Sequence, residues 1–408
     1  MQDIDLIQDG LGLPEPWEVK ACELDIDNGF FDIQIDFSSG SLFPCPKCGR
    51  KDCKAYDTKQ MSWRHLNFFE YAAFLNARTP RVNCPDCGVH QVDVPWGRKD
   101  CGFTHLLEGY ILKLAKSTPV ERIAKLLGEH DTRLWRTILH YSDQTFENID
   151  FKKVKRIGID EITSTEKGHH YITTFVDMDA STPIFVTEGK DASTIKRFVE
   201  EMIMRGGDPA SIEDVSCDMS PAYIKGVESC LPNARITFDK FHIVKSLNKA
   251  VDEVRRQEQR SFGDLKKTRW IWLKNPEELT SEELEIKKKI EEENPNLETV
   301  QAYNLRKEFQ KLWDQPSYKA QKFLNKWRNQ ALNSGMDPIR QFAFMLEKHW
   351  EGVVNWFESH INNAILEGLN SLINVAKIRA RGFRTIRNLA AIVFLISGSV
   401  DPVSTHTM

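Results

Sequence analysis

Arg156-Ile157-Gly158-Ile159-Asp160-Glu161-Ile162 is the stretch on which the reading of this chain turns. It reads as a strand, and it carries a carboxylate, Asp160, in its middle. The runs His170 to Asp177 and Pro183 to Glu188 predict two further strands. A helix from Ser193 to Arg205 follows, then a strand from Ser211 to Asp218, a helix from Pro221 to Cys230 and a strand from Ala234 to Phe238. A second acid, Asp218, closes the fourth strand just before the helix start Ser220-Pro221.

Three strands, a helix, a strand, a helix and a strand is the order of an α/β core of ribonuclease-H-like fold. In that order the first and fourth strands meet at the sheet centre, so Asp160 and Asp218 are expected as neighbours. A third acid, Glu367, lies on a later helix, where Asn363, Glu367, Asn370 and Asn374 recur at helical spacing on one face. Several acidic oxygens brought together suit a pair of divalent cations and little other protein chemistry. Isolated acids on strands and helices are common, so the trio needs its surroundings. Asp239 also follows a strand and competes with Asp218, although helix capping accounts for it. Glu161 and Asp177 are alternative neighbours of Asp160. His242 is either a steadying group or a structural histidine. From Lys240 to about Trp350 the chain reads as helical and charged, with Glu282 to Glu293 a solvated face.

The chain has 408 residues, 28% of them charged and 41% hydrophobic, which fits a globular protein with more than one domain of about 100–200 residues each. The net charge of −4 says little, but its distribution is uneven. The stretch to about Phe37 is acidic, whereas the charges from Lys377 to Arg387 are all basic. Such asymmetry is compatible with a nucleic-acid partner, although either run alone reads first as a solvated face. Met1-Gln2-Asp3-Ile4-Asp5 lacks the basic start and apolar core of a secretory signal. Leu389 to Ile396 is too short to span a bilayer and reads as a buried helix end. No membrane partner is expected. Of the nine cysteines, four fall in two Cys-x-x-Cys pairs, which points to metal rather than disulfides and to a cytoplasmic protein.

Trp17 to Phe37 reads as a β-hairpin, with Asn28-Gly29 supplying the positive φ angles of a tight turn. Cys45-Pro46-Lys47-Cys48-Gly49 and Cys84-Pro85-Asp86-Cys87-Gly88 are near copies, each a knuckle of two thiolates. Cys45, Cys48, Cys84 and Cys87 together make the four-sulfur set of one structural Zn²⁺. Trp63-Arg64-His65-Leu66 and Ala73 to Val82 are candidate strands between the knuckles. Cys53, His90 and Cys101 are reserve ligands, and Cys22, Cys217 and Cys230 read as core residues. Thr118-Pro119-Val120-Glu121 reads as a capping box with Pro in the first helical position. It opens a helix with Val120, Ile123, Ala124 and Leu127 on one face. Gly128-Glu129-His130 makes a turn, and Asp131 caps a second helix with the inner stripe Leu134, Ile138 and Tyr141. Arg133, Arg136 and His140 project from its other side. This is the helix-turn-helix plan, with plain helical packing as the alternative. The domains are expected at about residues 1–100, 101–150 and 151–408, the last with a helical insertion at about 260–350.

Several motifs then join into one pattern. They are Phe43-Pro44-Cys45-Pro46-Lys47-Cys48-Gly49, Trp63-Arg64-His65-Leu66, Arg81-Val82-Asn83-Cys84-Pro85-Asp86-Cys87-Gly88, Gly158-Ile159-Asp160-Glu161, Phe238-Asp239-Lys240-Phe241-His242, and Glu367-Gly368-Leu369-Asn370 leading into Lys377-Ile378-Arg379-Ala380-Arg381-Gly382-Phe383. Together they resemble the insertion-sequence transposases of the ISL3 family, in family order and nearly to the C-terminus. The resemblance implies a zinc finger, a helix-turn-helix and an Asp-Asp-Glu catalytic core. It implies Asp160, Asp218 and Glu367 as the triad, with two Mg²⁺ ions and Asp160 bridging them. The activity implied is DNA cleavage and strand transfer on double-stranded DNA, at element ends and target. The N-terminal modules would recognise terminal inverted repeats. Lys377, Arg379, Arg381 and Arg384 would meet phosphate, which positions DNA without reading sequence. A homodimer is expected because two ends are joined, associated with the nucleoid when on DNA. Two other readings stand beside this one. The first is a catalytically silent domesticated transposase acting as a DNA-binding repressor or scaffold. The second is a metal-dependent nuclease that cuts without joining.

Overall fold

A computed structural model describes residues 3–163, 171–361 and 363–400. The chain forms two compact units, Met1–Asn148 with Leu372–Met408, and Ile149–Ser371.

In the first unit α1 (Asp3–Leu11) precedes the expected hairpin of β1 (Trp17–Asp25) and β2 (Phe30–Phe37), and Gly29 in its turn takes a φ of 78°. β3 (Leu42–Phe43), β4 (Cys53–Arg64), β5 (Ala72–Cys84) and β6 (Gly88–Gln91) complete a sheet of order β1-β2-β5-β4-β3, with β6 on β5. β4 starts well before its sequence signal at Trp63, because pairing with β5 carries polar residues such as Lys59 and Gln60 that no apolar alternation announces. An aromatic core lies on the sheet, with Trp17 4.9 Å and Trp63 5.5 Å from Trp96, both edge-to-face.

Arg64, next to Trp63, is buried. Its guanidinium donates to the carbonyls of His65, Ala73 (3.3 Å) and Leu127 (3.4 Å) and to Asn67 Oδ1 (2.5 Å), with Glu129 3.7 Å away. A single side chain thereby ties the sheet to the helical module. Burial first, and then the Arg64 charge, depress the neighbouring His65 imidazole to about 4. A depressed folded-state pKa contributes stability above the unfolded value of 6.5, and that contribution is lost as pH falls from 6.5 towards 4. The wild type is expected to lose roughly 3 kcal/mol more stability than His65→Gln between pH 7 and pH 4. Urea denaturation at each pH checks this; parallel pH profiles would refute it.

α2 (His105–Ala115), α3 (Val120–Leu127) and α4 (Asp131–Glu147) follow. α3 buries Val120, Ile123, Ala124 and Leu127, and α4 buries Leu134, Ile138 and Tyr141, the two stripes that the sequence predicts. Gly128 closes α3 in the left-handed conformation with a φ of 65°. Two caps differ from expectation. Pro119 is itself the extended N-cap of α3 and makes no side-chain cap, so Thr118 lies one residue too early to close a box. The N-cap of α4 is His130, and Asp131 is the first helical residue, where its carboxylate still complements the helix dipole. Buried Glu108 of α2 accepts from Arg98 Nε (2.8 Å), Tyr141 OH (3.1 Å) and Thr137 Oγ1 (3.3 Å), which pins α2 to α4.

The second unit is built on β7 (Arg156–Thr163), β8 (Tyr171–Asp177), β9 (Thr182–Glu188), β10 (Asp214–Cys217) and β11 (Arg235–Phe238), in the order β11-β10-β7-β8-β9. His170, read as the start of the second strand, lies outside the described residues. β7, β8 and β9 pair antiparallel, β10 runs parallel to β7, and β11 parallel to β10. The expected meeting of the first and fourth strands is therefore observed. α5 (Ala192–Met204) and α6 (Pro221–Cys230) pack against each other. β10 is shorter than its signal because Asp208 caps a 3-10 turn over Pro209–Ser211, and Asp218 sits just past its end. Beyond β11 the chain is helical: α7 (Lys240–Glu258), α8 (Arg269–Leu273), α9 (Ser281–Glu293), α10 (Glu298–Gln310), α11 (Ser317–Leu332), α12 (Asp337–Lys348), α13 (Trp350–Val354) and α14 (Trp356–Ser359). Trp272, Tyr303, Phe309 and Trp327 are buried among these helices. α15 (Ala364–Ala380) and α16 (Ile386–Ile396) complete the described chain. The apolar run in α16 is buried as expected, and Phe394 lies 5.8 Å from Phe146 of α4. Of Cys22, Cys217 and Cys230, only Cys217 is buried. Cys22 lies on β1 at the sheet edge and Cys230 ends α6, which leaves both half-buried. Among the described residues no helix is long and apolar enough to cross a membrane.

Candidate functional site

The register of β10 on β7 sets Val215 opposite Ile157 and Ser216 opposite Gly158. Continuing that register two residues brings Asp160 of β7 level with Asp218, just past the end of β10, where neighbouring strands lie about 4.8 Å apart. Both acids act on Cys217, whose thiol is pushed up by burial first and then by the charges of Asp218 and Asp160.

α15 closes the site from a third side, and Gly158 makes this possible. A Cβ at Gly158 would lie 2.5 Å from Met178 Sδ and 2.7 Å from Leu366 Cδ1. With Leu366 seated over β7, Asn370 Nδ2 donates to Asp160 Oδ2, and Asn363 Oδ1 accepts from Ser216 Oγ at 2.7 Å. Two members of the stripe read from the sequence, Asn363 and Asn370, thus reach the sheet, whereas Glu367 and Asn374 are exposed. Glu367 lies between these contacts and is exposed; with Asp239, Asn363 and Ser216 it lines a cavity of about 200 Å³.

Burial is the largest influence on Asp160 and raises its carboxyl; the Asp239 charge adds to this, while the Glu161 N–H, His242 and Asn370 oppose it. Asp218 Oδ2 lies 3.8 Å from His242 Nδ1, and His242 Nε2 lies 3.8 Å from Asp239 Oδ2. Asp239 caps α7 by accepting from the Phe241 N–H at 2.8 Å, the role its position suggested. Glu161 is engaged with Tyr223 of α6, and Asp177 closes a turn by accepting from the N–H groups of Asp179 and Ala180.

Three buried oxygens here have no hydrogen-bond partner among the described residues: Asp218 Oδ1, Asn370 Oδ1, and Oγ1 of Thr174, which pairs with Asp160 across β7 and β8. Leaving such acceptors unsatisfied is costly. A cation beside Asp160 and Asp218 would satisfy the carboxylate and amide oxygens, and an all-oxygen donor set suits Mg²⁺. The three acids are not gathered into one tight cluster. Among the described residues only the four cysteines bring three or more ligand atoms within 4.8 Å of one another. Two ions about 3.5–4 Å apart want their outer carboxylates more widely spaced than that. Asn370, Asn363 and Ser216 belong to the site although no single-residue signal named them; the stripe on α15 was the only clue.

In the first unit the sulfurs of Cys45, Cys48, Cys84 and Cys87 lie within 4.8 Å of one another, with Cys48 and Cys84 at 3.6 Å. Tetrahedral Zn–S bonds of about 2.3 Å place sulfurs about 3.8 Å apart, which this set fits. The Asp86 backbone N–H leads in bringing Cys84 down to about 7, and that of Cys48 lowers Cys45. The hydrogen bond with Cys48, and then burial, push Cys87 up to about 12. Four crowded sulfurs do not all ionise without a cation among them. The reserve ligands stay out of the group. Cys53 Sγ lies 3.7 Å from the Arg50 carbonyl, His90 Nε2 2.8 Å from the Cys87 carbonyl, and Cys101 Sγ donates to Glu108 at 3.2 Å.

The basic residues differ in availability. Arg136 is exposed. Arg133 donates to Glu129 (2.5 Å) and the Gly102 carbonyl (3.2 Å) and lies over Phe103. His140 is half-buried and its pKa is lowered, by burial first and then by Arg98. Lys377 is buried, Arg379 donates to the Ser117 carbonyl at 3.2 Å, and Arg384 lies 3.6 Å from Asp131. Arg381 is exposed in a left-handed turn.

Three family models match the chain in order. The zinc-finger of transposase IS204/IS1001/IS1096/IS1165 matches residues 41–87, and the helix-turn-helix domain of transposase family ISL3 matches residues 92–142. The DDE domain of ISL3, described as a transposase, matches residues 157–393 of the 408. A zinc ribbon, a helix-turn-helix and a DDE domain on one chain define a DNA-binding transposase. The chain belongs to the ISL3 family of transposases. It is similar to the transposase for insertion sequence element IS1001 of Bordetella parapertussis, at 29% identity over 354 residues, covering 83% of this chain and 85% of that protein. It is also similar to the transposase for insertion sequence element IS1557 of Mycobacterium tuberculosis (strain CDC 1551 / Oshkosh), at 27% identity over 438 residues, covering 97% and 96%.

Proposed function

We propose that this transposase cuts DNA at the ends of its insertion sequence and joins the freed 3′ ends to target DNA, with Asp160, Asp218 and Glu367 holding two Mg²⁺ ions. The observation that carries the reading is the convergence of β7, β10 and α15, with the buried oxygens of Asp218 and Asn370 left without donors among the described residues. The sheet order is read as a ribonuclease-H-like core. When bound, the ions supply Lewis-acid chemistry, activating a water or 3′-hydroxyl and stabilising the leaving oxygen. Asp160 stands on β7 and Asp218 just past the end of its partner β10, so their oxygens need little reorganisation. Asn370 holds one Asp160 oxygen and the Glu161 N–H holds the other at 2.8 Å, which aims the remaining lone pairs. Glu367, on the exposed side, faces the incoming phosphodiester.

DNA recognition falls to the N-terminal modules, at about residues 1–100 and 101–150, ahead of a catalytic domain at 151–408 with its helical insertion at about 260–350. Arg133, Arg136 and His140 are assigned to element ends, and Lys377, Arg379, Arg381 and Arg384 to phosphates. The working form is a homodimer in the cytoplasm, on the nucleoid when bound to DNA.

The test uses full-length protein, a labelled duplex carrying the flanking inverted repeat, and a target plasmid, with Mg²⁺ or chelator. Mg²⁺-dependent cutting at the repeat and joining to the plasmid support the proposal. Binding without cutting points to a repressor or scaffold, and cutting without joining to a nuclease. Asn370→Ala is expected to slow cleavage roughly 10–100-fold, as lost partners of metal ligands do, with unchanged duplex binding. Full cleavage by this variant would remove Asn370 from the site.

A further inference from the structure

Beside Asp218 the second unit carries a groove of about 650 Å³, with Lys245, Lys249, Arg269, Trp270 and Leu273 in its walls. Its size falls in the range of about 300–1,000 Å³ that holds one small ligand, too little for a duplex. His242, Lys245 and Lys249 recur on one face of α7, so the two lysines continue the row that starts at His242, whose Nδ1 lies 3.8 Å from Asp218. Lys245 and Lys249 are exposed, and neither pairs with a carboxylate among the described residues.

Trp270 is 58% exposed, although its neighbours Ile271 and Trp272 on α8 are buried. Trp272 Nε1 donates to Thr268 Oγ1 at 3.0 Å, which anchors this short helix. The Arg269 guanidinium lies 5.0 Å from the Trp270 ring and also reaches Asp252 at 3.3 Å. An indole face is thus held out on a fixed turn beside Arg269, in a groove that also carries Lys245, Lys249 and an acid of the proposed catalytic site. Aromatic faces flanked by cations recognise unpaired bases, the ring by stacking and the cations by phosphate contact.

We infer that the groove takes unpaired nucleotides adjoining the scissile phosphate, with a base stacked on Trp270 and the strand's phosphates on Lys245 and Lys249. The inference rests on the proposed catalytic reading of Asp218. Drawing a base out of duplex costs a few kcal/mol, and stacking on an aromatic side chain returns about 1–3 kcal/mol of it. The groove would therefore favour an opened end over a closed one.

Two measurements on full-length wild type, Trp270→Ala and Trp270→Phe test this. The first is anisotropy binding of a labelled single-stranded oligothymidylate without Mg²⁺, which requires no cleavage. Trp270→Ala is expected to bind roughly tenfold more weakly and Trp270→Phe close to wild type, by the stacking energy of one base. All three should bind inverted-repeat duplex equally, which also reports an intact fold. Equal single-strand affinity of Trp270→Ala and wild type overturns the inference, whether or not the protein cleaves. The second compares cleavage of a matched end duplex with one mismatched beside the cut. Trp270→Ala should be slow on the matched duplex and recover on the mismatched one; equal slowing on both overturns the inference. If wild type cuts neither duplex, the catalytic proposal fails, and the binding measurement still decides the groove.

Discussion

Asp160→Asn protein is expected to bind inverted-repeat DNA normally and to cut it at least about 10³-fold more slowly than wild type, a loss of roughly 4 kcal/mol of transition-state stabilisation. The substitution keeps the shape of the side chain but only one of its two acceptors, so either the bond from Asn370 or that from the Glu161 N–H is lost. It removes the charge that would sit between two cations. Unfolding is not the expected cause of the loss. Burial and the neighbouring Asp239 hold the Asp160 carboxyl above its usual range, so the ionised form is a burden on the metal-free fold. Relief of that buried charge offsets the hydrogen bond the amide loses, so the melting temperature of Asp160→Asn without Mg²⁺ is expected to stay within about 4 °C of wild type. Gel-resolved cleavage, duplex binding and thermal melts on one preparation separate these effects. Cutting at the wild-type rate would end the assignment of Asp160.

Cys84→Ser is expected to leave the protein close to zinc-free, against one zinc per chain in the wild type. Structural zinc sites of this kind bind with about 10–16 kcal/mol, much of it folding energy. Cys84 is buried, and knuckle N–H groups bring its thiol down to about 7, so it is the sulfur best prepared to meet a cation. A serine hydroxyl does not replace a thiolate there. The β-sheet that carries the knuckles is also held by Arg64 to the helical module, so its loosening should weaken end-DNA binding. Cys53→Ser is the matched control, since Cys53 is buried nearby yet outside the sulfur group. Elemental analysis of both variants decides the matter: full zinc in Cys84→Ser, or zinc loss in Cys53→Ser, would require a different ligand set.

Much of this was legible in the residues. The knuckles declared themselves because a metal needs specific ligands at short spacing, and the sulfurs do converge. The strands β7, β8 and β9 were readable because burial on both faces keeps them apolar. β4 was mostly missed because its residues are largely exposed, and its length is set by the partner strand rather than by its own hydrophobicity. The caps of α3 and α4 were placed one residue off, since Pro119 and His130 take the extended conformation that the capping pattern assigns to Thr118 and Asp131. Arg133 reads as a free cation on a helix face, but Glu129 and a carbonyl from another segment hold it.

Local pattern alone determined which residues carry chemistry here: paired thiols, acids on strand and helix, and a glycine-turned helix pair. Each is a property of a few consecutive side chains. Only tertiary structure decided that Gly158 admits Leu366, that Asn370 grips Asp160, and that Trp270 shares a groove with Asp218. Those contacts join segments tens to hundreds of residues apart, and close packing rather than any local preference sets which atoms meet.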